Sequence, residues 1–284
     1  MRTTERALQA ALTVAKQHGL PTRNARILRD LTNVLVHLAP APVVARVPLT
    51  LARLRPRAWF AREIELVTFL ASAGAPVAPP SGSVDPGPHR QADLFVSFWD
   101  HMDHDEGRFD PVAAGRVLRK LHRAIERYPG KLPSFDRLGE VSRLLATLQP
   151  FSLVSERELD ALRELCARLS PAPKWPSRPL HGDAHFRNIL WTSEGPVWND
   201  FENACRGPVA YDLACLKWRD APGTKAALAA YGPYAEGRGR HAVPGSLSCR
   251  VDDRRRQPVP ERGRSSGSAQ EDRSRTRALA RDSR

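Results

Sequence analysis

His181-Gly182-Asp183-Ala184-His185-Phe186-Arg187-Asn188-Ile189-Leu190-Trp191-Thr192, then Ser193-Glu194-Gly195, then Pro196-Val197-Trp198-Asn199-Asp200-Phe201-Glu202, is the most informative stretch of the 284-residue chain. Residues 189–192 and 196–199 are short and strand-like, and Gly195 suits the left-handed position of a three-residue hairpin loop. In that register Thr192 faces Pro196 and Asn188 lies opposite Asp200. Directly opposed residues hold their Cβ atoms about 4.5–5.5 Å apart on one face. A carboxamide and a carboxylate then converge at the open end of the hairpin, with Asp183 five residues upstream of Asn188. Hard oxygen ligands presented this way suit Mg²⁺, which takes few protein ligands and completes its shell with phosphates and water. A slip of one residue in the pairing would turn one of the groups to the other face.

Upstream of this stretch the chain is helical. Asp110-Pro111 reads as an N-cap with Pro at the first helical position, ahead of a stripe of Ala114, Leu118, Leu121 and Ile125. Ser155 and Glu158 form a capping box before Leu159, Leu162, Leu165 and Leu169. Downstream, Asp212 reads as the N-cap of a helix over 213–218. The first hundred residues differ. An amphipathic helix leads to Gly19-Leu20-Pro21. Residues 33–38 and 43–47 flank Ala39-Pro40-Ala41-Pro42 as a hairpin, a helix covers 57–73, and Leu94 to Trp99 is a further strand. The expected fold is α+β, a small β-rich lobe over 1–98 and a mainly helical lobe over 99–237.

Composition bounds the rest. An apolar share of 41% supports a sizeable core, and no run of 18 apolar residues offers a membrane span. The N-terminal Ala/Leu stretch is broken by Gln9 and Thr13, unlike a signal peptide. Cys166, Cys205, Cys215 and Cys249 show no CxxC spacing, which argues against a disulfide scaffold or zinc site and for a reducing, cytoplasmic setting. His101 and His104 beside neighbouring acids lack a third zinc ligand at firm spacing. The net charge of +13 is uneven: residues 238–284 hold 13 Arg and 6 acids, leaving +6 for the body. That segment has no aromatic residue and reads as a disordered, solvated tail. The composition changes abruptly after Tyr231, which suggests a shortened helical lobe and a tail arising from a frame change.

His-x-Asp, Asn five residues after that Asp, Asp-Phe-Glu after a strand, and then Gly207-Pro208 with Tyr211-Asp212-Leu213-Ala214, resemble the aminoglycoside phosphotransferase family. Leu121-His122 and Arg62-Glu63 also match its pattern, and the resemblance spans about residues 30–232. It implies a protein-kinase-like two-lobe fold and an ATP- and Mg²⁺-dependent transfer to a hydroxyl of a small molecule, aminoglycoside-like or an amino-alcohol or sugar. By that resemblance Asp183 takes the acceptor's proton, while Asn188 and Asp200 hold the metal. Arg46 stands where the family places a strand Lys facing phosphates, with Glu63 as its helical partner. Val96 to Asp100, including Ser97 and Trp99, would form a connector whose backbone binds adenine. Two departures are evident. Arg is a longer, forked replacement for Lys, and the turn at 39–42 carries Pro where a Gly-rich cover would supply N–H groups.

His181 is expected to brace the loop. His185 and Arg187 lie between the critical groups, and Asp100, Asp103, Asp105, Glu106 and Asp110 form an acidic cluster that would attract a cationic substrate. Two rival functions stand beside the kinase reading: a nucleotide-binding module without catalysis, and nucleic-acid binding through the basic tail. The sequence leaves the acceptor and the oligomeric state open.

Overall fold

A computed structural model describes residues 3–49, 55–147, 154–169, 176–216 and 223–233. The basic segment 238–284, with the readings attached to it, lies outside the described residues.

The first lobe is an antiparallel sheet with a helix on each side. Strands β1 (Arg26–Asp30), β2 (Asn33–His37), β3 (Val43–Pro48), β4 (His89–Gln91) and β5 (Leu94–Asp100) pair in the order β1-β2-β3-β5-β4. Because side chains alternate across a strand, Ala45 and Val47 of β3 bury against helix α1 (Thr3–Gln17), while Arg46 between them points to the opposite face. The α1 face is Ala7, Ala10, Ala11, Val14 and Ala15, all buried, and these small residues let the helix lie close against the sheet. On the other face helix α2 (Arg57–Ser72) approaches β5, with Phe60 and Phe95 rings 5.1 Å apart. The loop after α2 turns at Gly74, whose φ of +69° suits a residue without a Cβ.

Strands β1 and β4 were not legible in the sequence. β1, Arg-Ile-Leu-Arg-Asp, is exposed along its whole length and carries no alternation for a pattern search to find. Its presence corrects the reading of the turn at 39–42 as the cover over phosphates. That turn docks on the chain after β5, where His101 donates its backbone N–H to Pro42 O (2.8 Å). The opposite end of the sheet carries the β1–β2 turn at Leu31-Thr32.

In the helical lobe α3 (Pro111–Ile125) starts as expected, with the Asp110 carboxylate accepting from Ala113 N (2.9 Å). It packs against α7 (Thr224–Tyr231) so closely that a Cβ on Gly115 would overlap the Ala227 carbonyl. Helices α4 (Arg137–Thr147) and α5 (Glu156–Leu169) form a hairpin around Leu145, Leu159 and Cys166. The Ser155–Glu158 capping box is reciprocal: Glu158 accepts from Ser155 N at 2.8 Å, and Ser155 Oγ accepts from Glu158 N at 3.4 Å. Two small ribbons complete the lobe, β6 (Arg178–Leu180) with β9 (Cys205–Gly207), and β7 (Ile189–Thr192) with β8 (Gly195–Trp198). One core spans both lobes, joining Leu66, Val67 and Leu70 of α2 to Leu118 and Leu121 of α3 and to Trp198.

Candidate active site

The loop from β6 to β7 is held by its own polar groups. His181 is fully buried between the rings of Phe201 (4.4 Å) and Trp198 (5.3 Å). Its Nε2 bonds Asn199 O (3.0 Å), so that nitrogen carries the proton, and its Nδ1 accepts from Asp183 N (3.2 Å). Burial lowers the imidazole pKa, which agrees with a neutral ring in a bracing role. Gly182 follows at φ +82°, and a Cβ there would overlap the Asn203 carbonyl. Asp183 then presents a carboxylate that is 37% exposed and accepts no hydrogen bond among the described residues; the nearest cation-capable atom, His185 Nε2, is 3.7 Å away.

The hairpin differs from its expected register by one residue. Thr192 pairs with Gly195 and Ile189 with Trp198, so the loop is the two-residue Ser193-Glu194 and Gly195 belongs to the strand. Asn188, at the end of a 3₁₀ turn (Phe186–Asn188), therefore meets Asn199, whose N–H donates to Asn188 O (3.0 Å). Asp200 lies one step beyond its predicted place, with the left-handed φ of +63°. That backbone state, uncommon for a residue with a Cβ, redirects the side chain where simple alternation would fail. The Asp200 carboxylate reaches the first lobe, 3.4 Å from Arg46 Nη1. Asn188 donates its amide N–H to Asp183 O (3.0 Å), which leaves its amide oxygen as an acceptor.

Arg46 and Glu63 pair as expected. The guanidinium donates to Glu63 Oε1 from Nη1 (2.9 Å) and to Oε2 from Nη2, a two-bond fork with both groups buried. Burial alone would favour the neutral base, but the Glu63 and Asp200 carboxylates outweigh it and hold Arg46 charged well above its ordinary range. Trp99 covers the guanidinium at 5.0 Å and donates its indole N–H to Ser97 Oγ (2.8 Å).

Ser97 and Trp99, from the stretch Val96 to Asp100 expected to bind adenine, thus border the Arg46 pair. These residues lie inside β5, with Arg46 opposite Ser97 and Val44 opposite Trp99 on one edge. On the other edge Phe98 N bonds Pro86 O (3.0 Å) and Asp100 N bonds Pro79 O (3.1 Å). Phe98 O in turn accepts from Ser81 N (3.0 Å). The chain leaves regular structure only after Asp100.

Asp212 also has a different role from the predicted N-cap. Helix α6 (Val209–Cys215) starts after Pro208, and Asp212 is inside it, fully buried. Its carboxylate accepts from His181 N (2.8 Å), Gly182 N (2.9 Å) and His122 Nε2 (2.9 Å), while His122 Nδ1 meets the Tyr231 hydroxyl at 2.8 Å. Burial would raise the Asp212 pKa; the His122 bond and charge, His181 and Gly182 N–H reverse that and keep it low.

Several groups at the site were not singled out from sequence. Glu202 is pushed up to about 7 by burial and by Asp200, although Arg46 and Arg55 oppose this. Arg55 bonds the Glu202 carboxylate (3.2 Å) and Asn203 Oδ1 (3.0 Å), and Trp59 Nε1 donates to Glu202 O (2.6 Å). A long-range bond of this kind leaves no local pattern; only the Asp-Phe-Glu run flagged Glu202. Burial raises the thiols of Cys205 and Cys215 to about 12, away from nucleophilic use. Asp103, Asp105 and Glu106 of the acidic cluster are exposed. Among the described residues no three His, Cys, Asp or Glu side chains form a metal cluster, and the His101 ring stacks on His37 at 3.9 Å.

A two-lobed chain with a buried Arg–Glu pair, an acid across the cleft and an open loop carboxylate has the layout of a kinase-like phosphotransferase. The family model described as "phosphotransferase enzyme family" matches residues 23–244, and the chain belongs to that family. No curated protein matches the chain. Among solved structures, it is similar to an aminoglycoside-3'-phosphotransferase of type VIII at 17% identity, covering 80% of this chain and 91% of that one (TM-score 0.58). It is also similar to an amicoumacin kinase solved with AMP-PNP, Ca²⁺ and its ligand, at 16% identity over 81% and 78% (TM-score 0.56). A choline/ethanolamine kinase family protein from Mesorhizobium loti matches at 20% identity over 81% and 76% (TM-score 0.52). At these identities the likeness is one of fold. Among the described residues no helix is long and apolar enough to cross a membrane.

Proposed function

We propose that this phosphotransferase moves the γ-phosphoryl group of ATP, with Mg²⁺, to a hydroxyl of a small molecule. The observation that carries the reading is Arg46, forked onto Glu63 from its own lobe and 3.4 Å from Asp200 of the other. A cation held there by two carboxylates is fixed for a polyphosphate without reorganising. Its Nε is buried with no acceptor among the described residues.

The donor set suits Mg²⁺ rather than zinc. Asn188 and Asp200 offer two hard oxygen ligands, and among the described residues no His or Cys forms a metal cluster with acids, which fits an ion that keeps phosphate and water in its shell. When bound, such an ion neutralises charge on the phosphates and aligns them for in-line transfer. Asp183 is the group that orients the acceptor hydroxyl and receives its proton, since its carboxylate accepts no hydrogen bond among the described residues and is partly open to solvent. Residues 1–98 serve the nucleotide, and residues 99–237 form the helical lobe that carries the catalytic loop. The acidic residues after β5 favour a cationic acceptor, an amino-alcohol or aminoglycoside-like molecule.

The test is a thermal-shift titration with Mg·ATP paired with an assay of phosphate transfer to a panel of amino-alcohols, sugars and aminoglycosides. Asp183→Asn is expected to lose turnover at least 100-fold, in the range of a removed general base, while keeping the Mg·ATP shift. A turnover equal to wild type in that variant would overturn the assignment.

A further inference from the structure

The peptide that precedes Asp183 is held at both ends, by a ring two residues back and by a guanidinium far away in sequence. Its N–H, on Asp183, donates to His181 Nδ1 (3.2 Å). Its C=O, on Gly182, accepts from Arg137 Nη2 (2.8 Å). Arg137 is the first residue of α4 and is itself held in place. Nη1 donates to Glu140 Oε2 (2.9 Å) and to Asn203 Oδ1 (3.3 Å), and the guanidinium lies beside the rings of Tyr211 (5.8 Å) and Phe135 (6.0 Å). Asn203 Oδ1 is shared with Arg55 Nη2 (3.0 Å), so the same carboxamide joins Arg137 to the chain entering α2, the helix that carries Glu63.

We propose that Arg137 is a positioning residue for phosphoryl transfer, setting the direction of the Asp183 carboxylate through the Gly182 carbonyl. The inference rests on the reading of Asp183 as the proton acceptor. Gly182 has no Cβ and a φ of +82°, so its side chain supplies no barrier to rotation of the following peptide. Asp212 fixes the preceding peptide through Gly182 N, and this leaves the 182–183 plane to the two remaining bonds. Without the guanidinium the carbonyl end is released and the plane pivots on the weaker imidazole contact. The Asp183 side chain is carried with it. Misplacing a reacting group by about 1 Å costs roughly 100-fold in rate.

Steady-state release of phosphate from Mg·ATP to water serves as the probe, since it needs no identified acceptor. Arg137→Ala is expected to lower kcat by roughly 10- to 100-fold with the KM for Mg·ATP within about twofold, because Arg137 touches no nucleotide-binding group. Arg137→Lys, which keeps one donor for the Gly182 carbonyl, recovers part of the loss. In an Asp183→Asn background Arg137→Ala causes no further fall, as expected of groups acting as one unit. Hydrogen exchange of a peptide covering residues 180–186 rises in Arg137→Ala irrespective of turnover. If the alanine variant melts below the assay temperature, Arg137→Gln carries the same comparison while keeping the aliphatic stem beside Phe135 and Tyr211. An unchanged kcat with unchanged exchange overturns the inference and leaves the base assignment intact, provided Asp183→Asn is inactive. Equal and additive losses in both backgrounds also overturn it, by showing that Arg137 acts elsewhere. Wild-type turnover that Asp183→Asn preserves overturns the proposed function itself.

Discussion

Replacing Asp212 with Ala removes an acceptor that serves three donors at once. The His181 N–H, the Gly182 N–H and His122 Nε2 all end on its carboxylate, at 2.8, 2.9 and 2.9 Å, and the carboxylate has no exposure to water. Each donor left without a partner in a buried site costs about 1–3 kcal/mol. Water entering the vacated volume recovers part of this, which keeps the total toward the low end of three such costs. We take about 4 kcal/mol as the expected loss, a large share of the roughly 5–15 kcal/mol that holds a domain together. At about 2–4 °C per kcal/mol for a domain of this size, the melting temperature should fall by about 8–16 °C. The pH dependence supplies a second check. Asp212 is held below its ordinary pKa in the folded protein, so its contribution is present above the unfolded value and disappears as pH falls through the folded one. The gap between wild type and Asp212→Asn should therefore be wide at neutral pH and narrow once the medium is more acidic than an ordinary aspartate, as followed by urea unfolding in a series of buffers. A melting point within 2 °C of wild type for Asp212→Ala, or a gap independent of pH, would refute the account of the loop as hung from this carboxylate.

Two other outcomes follow from the same geometry. Asp200→Ala should leave a nucleotide shift in melting temperature that no longer responds to Mg²⁺, whereas in wild type chelating the metal removes most of the shift; an intact metal response in the variant would exclude Asp200 from the ion. Gly115→Ala drives a methyl group into the Ala227 carbonyl and should cost about 1–3 kcal/mol by overpacking, seen as a lower denaturation midpoint. A neutral result there would mean that α3 and α7 separate without penalty.

The order of motifs in 181–202 and the helix starts at Asp110 and Ser155 were legible because each depends on neighbours within a few residues. The Arg46–Glu63 pair was legible only through resemblance, and in the structure the two side chains form a two-bond fork. What failed depends on long-range or backbone terms. Gly195 could have been the left-handed residue of a longer loop or the first residue of a strand, and the choice changed the register by one. The left-handed turn at Asp200, which returns its carboxylate to the cleft, has no side-chain signature at all. Asp212 was read by its local capping chemistry, although its partners lie 30, 31 and 90 residues away. β1 escaped notice since three of its five residues are charged, as befits an outer strand with a wet surface.

The alanine-rich contact between α1 and the sheet has a consequence for the cleft on the far side. Ala45 rests against that helix, and Arg46, the next residue, grips Glu63 and faces Asp200. A bulkier residue at Ala11 would wedge the helix outward, and a strand behaves as a stiff plank: what tilts one side tilts the other. The Arg46 contact with Glu63 and Asp200 is thus open to disturbance from the far side of the sheet.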